Sequence, residues 1–480
     1  MRNRKIKRGG GGKIIALLVL IGLIAAAGYV YTAPEFEREV PTIQSEQNLF
    51  WNRTEPFKVQ LSDNEGLKSF ELILSDGQNS LIVGQGIIEE TTKEQTLLVK
   101  YPTSKTLDPK AKKLKLKVSV TDSSLWNMGQ GNKSEKIIDI NVDYTRPNVN
   151  VLANSYSITQ GGAALVVFQA EDENLDMLYV EVGEEKFKPQ PYKKEGYYAA
   201  LIAWPFINDE FKANVVAIDA AKNKRVVDIP FYLKNHKYKV SWIRAKDKFI
   251  DGKITDLASS DPDYAHIDDR LEKLRAINET MRLKNEALIH GYSKEISSEM
   301  LENWKIKKFY PLRNGQKVAS YGDERHYYYR DKDNIVSHSY HLGYDLASTK
   351  MATIKTSNAG RVVYANENGI YGNMPMIDHG LGLYSLYGHC SQLLVNEGDV
   401  VKAGDAIGKT GVSGLALGDH LHFGVLIQGV EVRPVEWFDQ DWIGKNIDDI
   451  FKAADKIIAG KYLKIYTYKY TFCNNYYIIV

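Results

Sequence analysis

From Phe309 to Asp441 the chain has a glycine at nearly every turn. Between the glycines run short apolar or β-branched stretches: "RVVYANENG", "NMPMIDHG", "LYSLYGHC", "DVVKAGDAIGKTG" and "HLHFGVLIQG". This pattern constrains the fold more than any other feature of the sequence. Glycine supplies the backbone conformations that tight hairpins need, and β-branched residues fit a pleated, half-buried surface. The expectation over 309–441 is therefore an all-β domain of compact hairpins. Seven of the ten histidines fall in it, between His326 and His422. His420 and His422 flank Leu421, so in a strand they project from the same face. Such a pair can share a metal ion, or divide metal binding and proton transfer between them. It can also be two neighbours in a half-buried strand.

Other residues in the domain bear on that choice. "HLGYD" supplies His341 and Asp345, and "YGHC" supplies His389. A catalytic zinc takes three protein donors, nitrogen or oxygen, and keeps a fourth position open for water. A His and a carboxylate from one segment plus a His from another strand reach that number, and two histidines remain for proton transfer. His326, His338 and His379 read as structural or solvated. Other hydrolytic chemistries lack their residues: there is no H-E-x-x-H helix and no G-x-S-x-G elbow. Cys390 adjoins His389 directly, a poor geometry for a Cys–His pair, and reads as packing. The two cysteines, Cys390 and Cys473, form no C-x-x-C pair, so neither a disulfide framework nor a cysteine zinc site is expected. A formal charge of +2 gives no reason to expect nucleic acid as a partner.

These residues resemble the zinc metallopeptidases of the lysostaphin and LytM type, peptidase family M23. The resemblance runs from about Pro311 to Phe438, through "ASYGDERHYYYRDKDNIVSHSYHLGYDLAS" and "AGRVVYANENGIYGNMPMIDHGLGLYSLYGHCSQLLVNEGDVVKAGDAIGKTGVSGLALGDHLHFGV". It implies a groove-shaped antiparallel sheet and one Zn2+ per chain held by His341, Asp345 and His422. His420 and His389 would be the catalytic histidines, activating water and stabilising the tetrahedral oxyanion. The implied activity is hydrolysis of peptide cross-links in bacterial peptidoglycan, with stem peptides as substrate. Cys390 departs from the family, where an apolar residue such as leucine usually follows this histidine. The alternative is a non-catalytic regulator or scaffold for another wall hydrolase. Relatives of that kind lack zinc ligands, whereas this sequence has all five residues.

The rest of the chain reads as support. The basic segment 1–13 precedes "IIALLVLIGLIAAAGYVY", an uncharged stretch over 14–31. As a helix it reaches about 27 Å, near the ~30 Å of a bilayer core. The charge asymmetry predicts a single-pass anchor in the cytoplasmic (inner) membrane, N-terminus inside, with the bulk in a periplasm or other extracytoplasmic space. A cleaved signal peptide is the competing reading. With no lysostaphin-like wall-binding tail, the expected target is a D-alanyl–diaminopimelate bond in a periplasm. Residues 37–145 and 146–236 share a layout of acidic turns and alternating strands, which predicts two immunoglobulin-like β-sandwich modules. Within a helical linker region, 237–304, the spacing of Ile267, Leu271, Leu274, Ile277, Met281 and Leu288 predicts an amphipathic helix over 263–290 of about seven turns, starting at Asp261 or Asp263. The β modules or this helix offer surfaces for a protein partner or self-association, or a cover that keeps the enzyme latent. A tail, 442–480, ends in alternating Tyr466, Tyr468, Tyr470 and Phe472. The predicted chain is mainly β throughout.

Overall fold

The structure is a computed structural model and describes residues 11–46, 48–89 and 92–460. The alternation from Tyr466 to Phe472 lies outside the described residues. The chain is mainly β and divides into two compact units. One holds the described residues to Arg146 together with Ile218–Asn223. The other holds Pro147–Ala217 and the described residues from Lys224 onward.

In the first unit, helix α1 spans Gly11–Thr32. Residues 12–32 have a mean hydropathy of 2.5 and none of the helix is buried in the protein, so by length and composition it can cross a membrane. A three-stranded antiparallel sheet, Thr42–Gln44, Phe57–Ser62 and Glu94–Val99, shares a core with a five-stranded sheet. Alternation fixes which face is inside. In "KLKLKVSVTD", Lys113–Asp122, Leu114, Leu116, Val118 and Val120 point into the core while Lys113, Lys115 and Lys117 face solvent or its margin.

The second unit joins a further pair of four-stranded sheets, built from strands between Asn148 and Ile229, to the glycine-rich domain. Strand β1 is Val240–Arg244. It runs parallel to Asp323–Tyr328, which pairs antiparallel with Ile335–His341. With Gln316–Ala319 labelled β2, these two are β3 and β4. Next come β5 (Tyr344–Ala347), β6 (Gly360–Glu367), β7 (Asn373–Asp378), β8 (Leu383–Gly388), β9 (Val400–Val401), β10 (Leu421–Ile427) and β11 (Val430–Val432). The main sheet is antiparallel in the order β2-β5-β10-β8-β7-β6-β9, with β11 paired to β10. Strands β8 and β10 are buried along their whole length, as a central position requires.

Three features depart from the sequence reading. The helix α2 begins at Arg270, not near Asp261, and continues as Arg270–Arg275, a π-helical stretch Ala276–Met281, and Arg282–Tyr292. Asp269 is the cap, its carboxylate accepting from the Leu271 and Glu272 N–H groups. Asp261 and Asp263 are instead engaged by Lys284 from across the helix. The apolar stripe of α2 (Leu274, Ile277, Met281, Ile289) packs on Met374, Met376, Tyr384 and Leu386 of the main sheet, so it is core within this chain. The second pair of sheets is not a separate module, because its core is continuous with that of the glycine-rich domain. The segment from 442 is not simply a tail. After α3 (Pro434–Trp437), helix α4 (Asp449–Ile458) buries Phe451 and Ala454, and Asp455 accepts from Tyr192 OH at 2.7 Å.

Candidate metal centre and active site

His341 closes β4, and a turn of two residues, Leu342 and Gly343, brings the chain back as β5 with Asp345 in it. Across the sheet Asp345 lies directly opposite His422 of β10, whose other neighbour is Gly388 of β8. Three donor atoms thereby converge. His341 Nε2 is 3.0 Å from Asp345 Oδ1 and 3.1 Å from His422 Nδ1, and His422 Nδ1 is 2.9 Å from Asp345 Oδ1. All three residues are buried.

The donor set fits a metal ion. His341 Nδ1 donates to Ser320 O at 2.8 Å, so its Nε2 carries a lone pair. That lone pair faces a second imidazole nitrogen and a carboxylate oxygen. Only one proton is left to share among the three atoms, whereas a divalent cation satisfies all of them. The separations are close to the roughly 3.3 Å edge of a tetrahedron with metal–ligand bonds of about 2.0–2.1 Å. Burial pushes the Asp345 carboxyl up, but His341 and His422 outweigh it and hold it well below the usual carboxylate range. Burial pulls the His422 imidazole down to about 4, which keeps it neutral and able to ligate.

Two further imidazoles stand beside the cluster. The His389 and His420 rings are 4.8 Å apart, and His389 is 5.7 Å from His422. His420 Nε2 lies 3.7 Å from Asp345 Oδ2. Both repeat the arrangement of His341: His389 Nδ1 donates to Ser413 O at 2.9 Å and His420 Nδ1 to Gly418 O at 2.7 Å. A carbonyl can only accept, so each Nδ1 carries the proton and each Nε2 is left as an acceptor. Burial holds His389 well below the usual imidazole range, helped by the neighbouring His422 and His420. His389 also sits at φ 65°, a left-handed conformation that disfavours a side chain. Here it turns the ring out of β8 and towards the cluster.

Of the remaining candidates, His379 is buried, with Nδ1 on Ala359 O and Nε2 on Ser385 Oγ, and burial pulls it down to about 4, a structural role. Cys390 is fully buried and its thiol is pushed up to about 12 by burial, so it is packing and not a nucleophile. His326 and His338 face each other on β3 and β4 and are paired with Glu324 rather than with these five residues.

Sequence reasoning passed over Tyr371. Its ring packs edge-on to His422 at 5.3 Å, while Glu286 of α2 lies against its hydroxyl. Beside the ligand-bearing turn is a cavity of about 570 Å³, lined by Leu342 and Tyr340 on one side, Arg282 and Glu286 of α2 on another, and Phe206 on a third. Burial raises the Glu286 carboxyl to about 7.

Residues 339–434 match the model of Peptidase family M23. The C-terminal region is an M23 peptidase domain. Among curated proteins, the M23 region is 37% identical over 95 residues to the DD-carboxypeptidase/endopeptidase Mpg of Neisseria meningitidis, covering 20% of this chain and 22% of Mpg. It is 33% identical over 115 residues to the peptidoglycan DD-endopeptidase ShyB of Vibrio cholerae, covering 24% and 26%. It is 37% identical over 99 residues to the murein hydrolase activator NlpD of Salmonella dublin, covering 20% and 26%. The chain thus spans about a quarter or less of each of these relatives.

Proposed function

We propose that this chain is a zinc-dependent endopeptidase that hydrolyses peptide cross-links of peptidoglycan, held at the outer face of the cytoplasmic membrane by α1 with its N-terminus inside. The observation that carries the reading is the convergence of three donor atoms within 3.1 Å of each other beside two imidazoles whose Nδ1 protons are both committed to carbonyls. His341 Nε2, Asp345 Oδ1 and His422 Nδ1 would hold the ion. Bound there, zinc supplies Lewis-acid activation of water for attack on a peptide carbonyl.

The chain's own residues do the rest. A neutral imidazole with its Nδ1 proton tied to a carbonyl offers one basic atom, Nε2, in a fixed direction. It can take the proton of the attacking water and later deliver it to the leaving amine. His389 and His420 both meet that description. Once one of them is protonated, its Nε2–H is a donor for the negative charge that develops on the carbonyl oxygen. Ser413 O and Gly418 O orient the two rings, and the Tyr371 ring fixes His422 from the side.

The test uses the full chain in detergent with purified sacculi, and identifies released muropeptides by mass spectrometry. Expected is loss of cross-linked dimers and gain of monomers, abolished by chelator, restored by zinc and absent in His422→Ala. The products also name the bond. A protein that binds zinc through these residues yet releases nothing would sink the enzymatic reading and favour an activator role.

A further inference from the structure

We propose a second metal site in this chain, formed by Glu324, His326 and His338, that takes a divalent transition ion of the zinc type. It lies on the β3–β4 pair, outside the five residues described above, and stands whether or not the chain cleaves peptides.

The register builds it. His326 and His338 are directly opposite each other across the two antiparallel strands, and Glu324 is two residues from His326, so all three side chains leave the same face. His326 Nε2 is 3.1 Å and His338 Nε2 3.2 Å from the same oxygen, Glu324 Oε1. All three donor atoms lie within 4.8 Å of one another. The carboxylate edges match those of the His341–Asp345–His422 cluster to a few tenths of an ångström, and both approach the roughly 3.3 Å edge of tetrahedral zinc.

A second observation separates this cluster from a casual ion pair. Both imidazoles are clamped by aromatic rings. Trp242 of β1 stacks on His326 at 4.9 Å with 24° between the planes, and Tyr340 meets His338 edge-on at 4.9 Å. Tyr340 is itself held by Phe206 at 5.2 Å. A surface His–Glu pair has no need of fixed rings, whereas a metal site does, because ligands held in place lose less freedom on binding. The three side chains are 22–38% exposed, enough for an ion to enter and for solvent to fill a fourth position. Two nitrogens and one oxygen suit zinc and its neighbours in the transition series, not magnesium or calcium, which demand oxygen donors.

The location gives the site a role. His338 is three residues before His341 on the same strand, and Trp242 brings in the linker strand β1. An ion here ties β3 to β4, with Trp242 of β1 stacked on one of its ligands, at the base of the turn that presents His341 and Asp345. The site is thus a staple for the first cluster's supporting strands.

The test counts metal. Full-length protein in detergent is stripped with chelator, equilibrated against a buffer of fixed free zinc, and zinc per chain is measured by elemental mass spectrometry. Two ions per wild-type chain are expected. One should remain in the His341→Ala/His422→Ala variant, one in the His326→Ala/His338→Ala variant, and none when all four are replaced. Cobalt in the His341→Ala/His422→Ala variant should give visible absorption that Glu324→Gln weakens. The first double variant leaves the second site untouched, so misfolding of the other cannot rescue the idea. One zinc per wild-type chain, with none left in His341→Ala/His422→Ala, overturns it.

Discussion

Gly343 explains why the H-x-G-x-D spacing needs its glycine. A Cβ built there would lie 2.4 Å from His422 Cε1 and Nε2 and 2.9 Å from Phe423 O, far inside contact distance. Gly343→Ala must therefore displace the His422 ring or open the turn between His341 and Asp345. We expect the fold to survive and zinc affinity to fall by about tenfold or more, on the order of 1.4 kcal/mol. Competition against a chelator of known affinity measures this, and an unchanged affinity would show that the ring is not held by this contact. At this scale much of the site was legible. Strand alternation put His420 beside His422, and the pentapeptide put Asp345 one turn beyond His341. What the sequence could not show was which nitrogen of each ring is free. That depends on the carbonyls of Ser320 and Ser413 arriving from other loops and on the local turn that folds the Gly418 carbonyl back onto His420. Nor could it show Tyr371, whose approach to His422 is set by packing and carries no motif. The pairing of His326 with His338 was hidden for the same reason, since it needs the register of β3 on β4.

Helix α2 reaches the site through adjacent residues, Glu286 against the Tyr371 hydroxyl and Asn285 on the loop that carries Tyr371. Asn285 Oδ1 accepts from the Ile370 N–H at 2.9 Å, its carbonyl accepts from Asn368 Nδ2 at 3.2 Å, and a Cβ on Gly369 would meet its side chain at 2.4 Å. The helix thus holds the 368–371 loop that presents Tyr371 to His422. Asn285→Ala leaves the Ile370 N–H without its acceptor, which costs about 1–3 kcal/mol for a buried donor. Expected are a lower melting temperature and a lower kcat with the zinc content unchanged, both partly recovered in Asn285→Asp, which keeps an acceptor. Equal kcat in wild type and Asn285→Ala, at a temperature where both are folded, would disconnect α2 from the site. The existence of this helix was readable from its apolar spacing, and its start was not. Asp261, Asp263 and Asp269 are all good caps by residue type, and only the Lys284 contacts and the turn after Pro262 select the last. The π-helical stretch was equally out of reach. It accommodates buried Asn278, whose Nδ2 donates to Ser337 Oγ at 2.9 Å, a tertiary demand and not a local preference.

In the second unit, the sheets between Asn148 and Ile229 and the peptidase domain form one body, and the join is polar as well as apolar. Ser155 Oγ donates to Asn446 O, Tyr192 OH to Asp455, and the Ala163 N–H to Glu436 Oε2 at 3.1 Å. Repetition along the sequence suggested two equivalent modules, because strand patterning reports each sheet's own core and not what a finished domain packs against. Glu436 of α3 makes the join sensitive to pH. It is buried, and that burial raises its carboxyl to about 7 from 4.5, with Arg433 and the Ala163 N–H opposing only in part. Below about pH 4.5 the group is protonated in folded and unfolded chains alike and adds no penalty. As pH rises from there to about 7 the unfolded chain gives up its proton first. Stability therefore falls across that window, by on the order of 3 kcal/mol once both states are ionised. Glu436→Gln keeps the acceptor for Ala163 and cannot ionise. It should match wild type near pH 4.5 and become progressively more stable than it towards pH 8. Glu286, also raised to about 7, titrates in both proteins and cancels in the difference. Thermal unfolding of the pair at a series of pH values reads that difference. A gap between wild type and Glu436→Gln that stays constant with pH would mean that Glu436 is not the group that loosens the join.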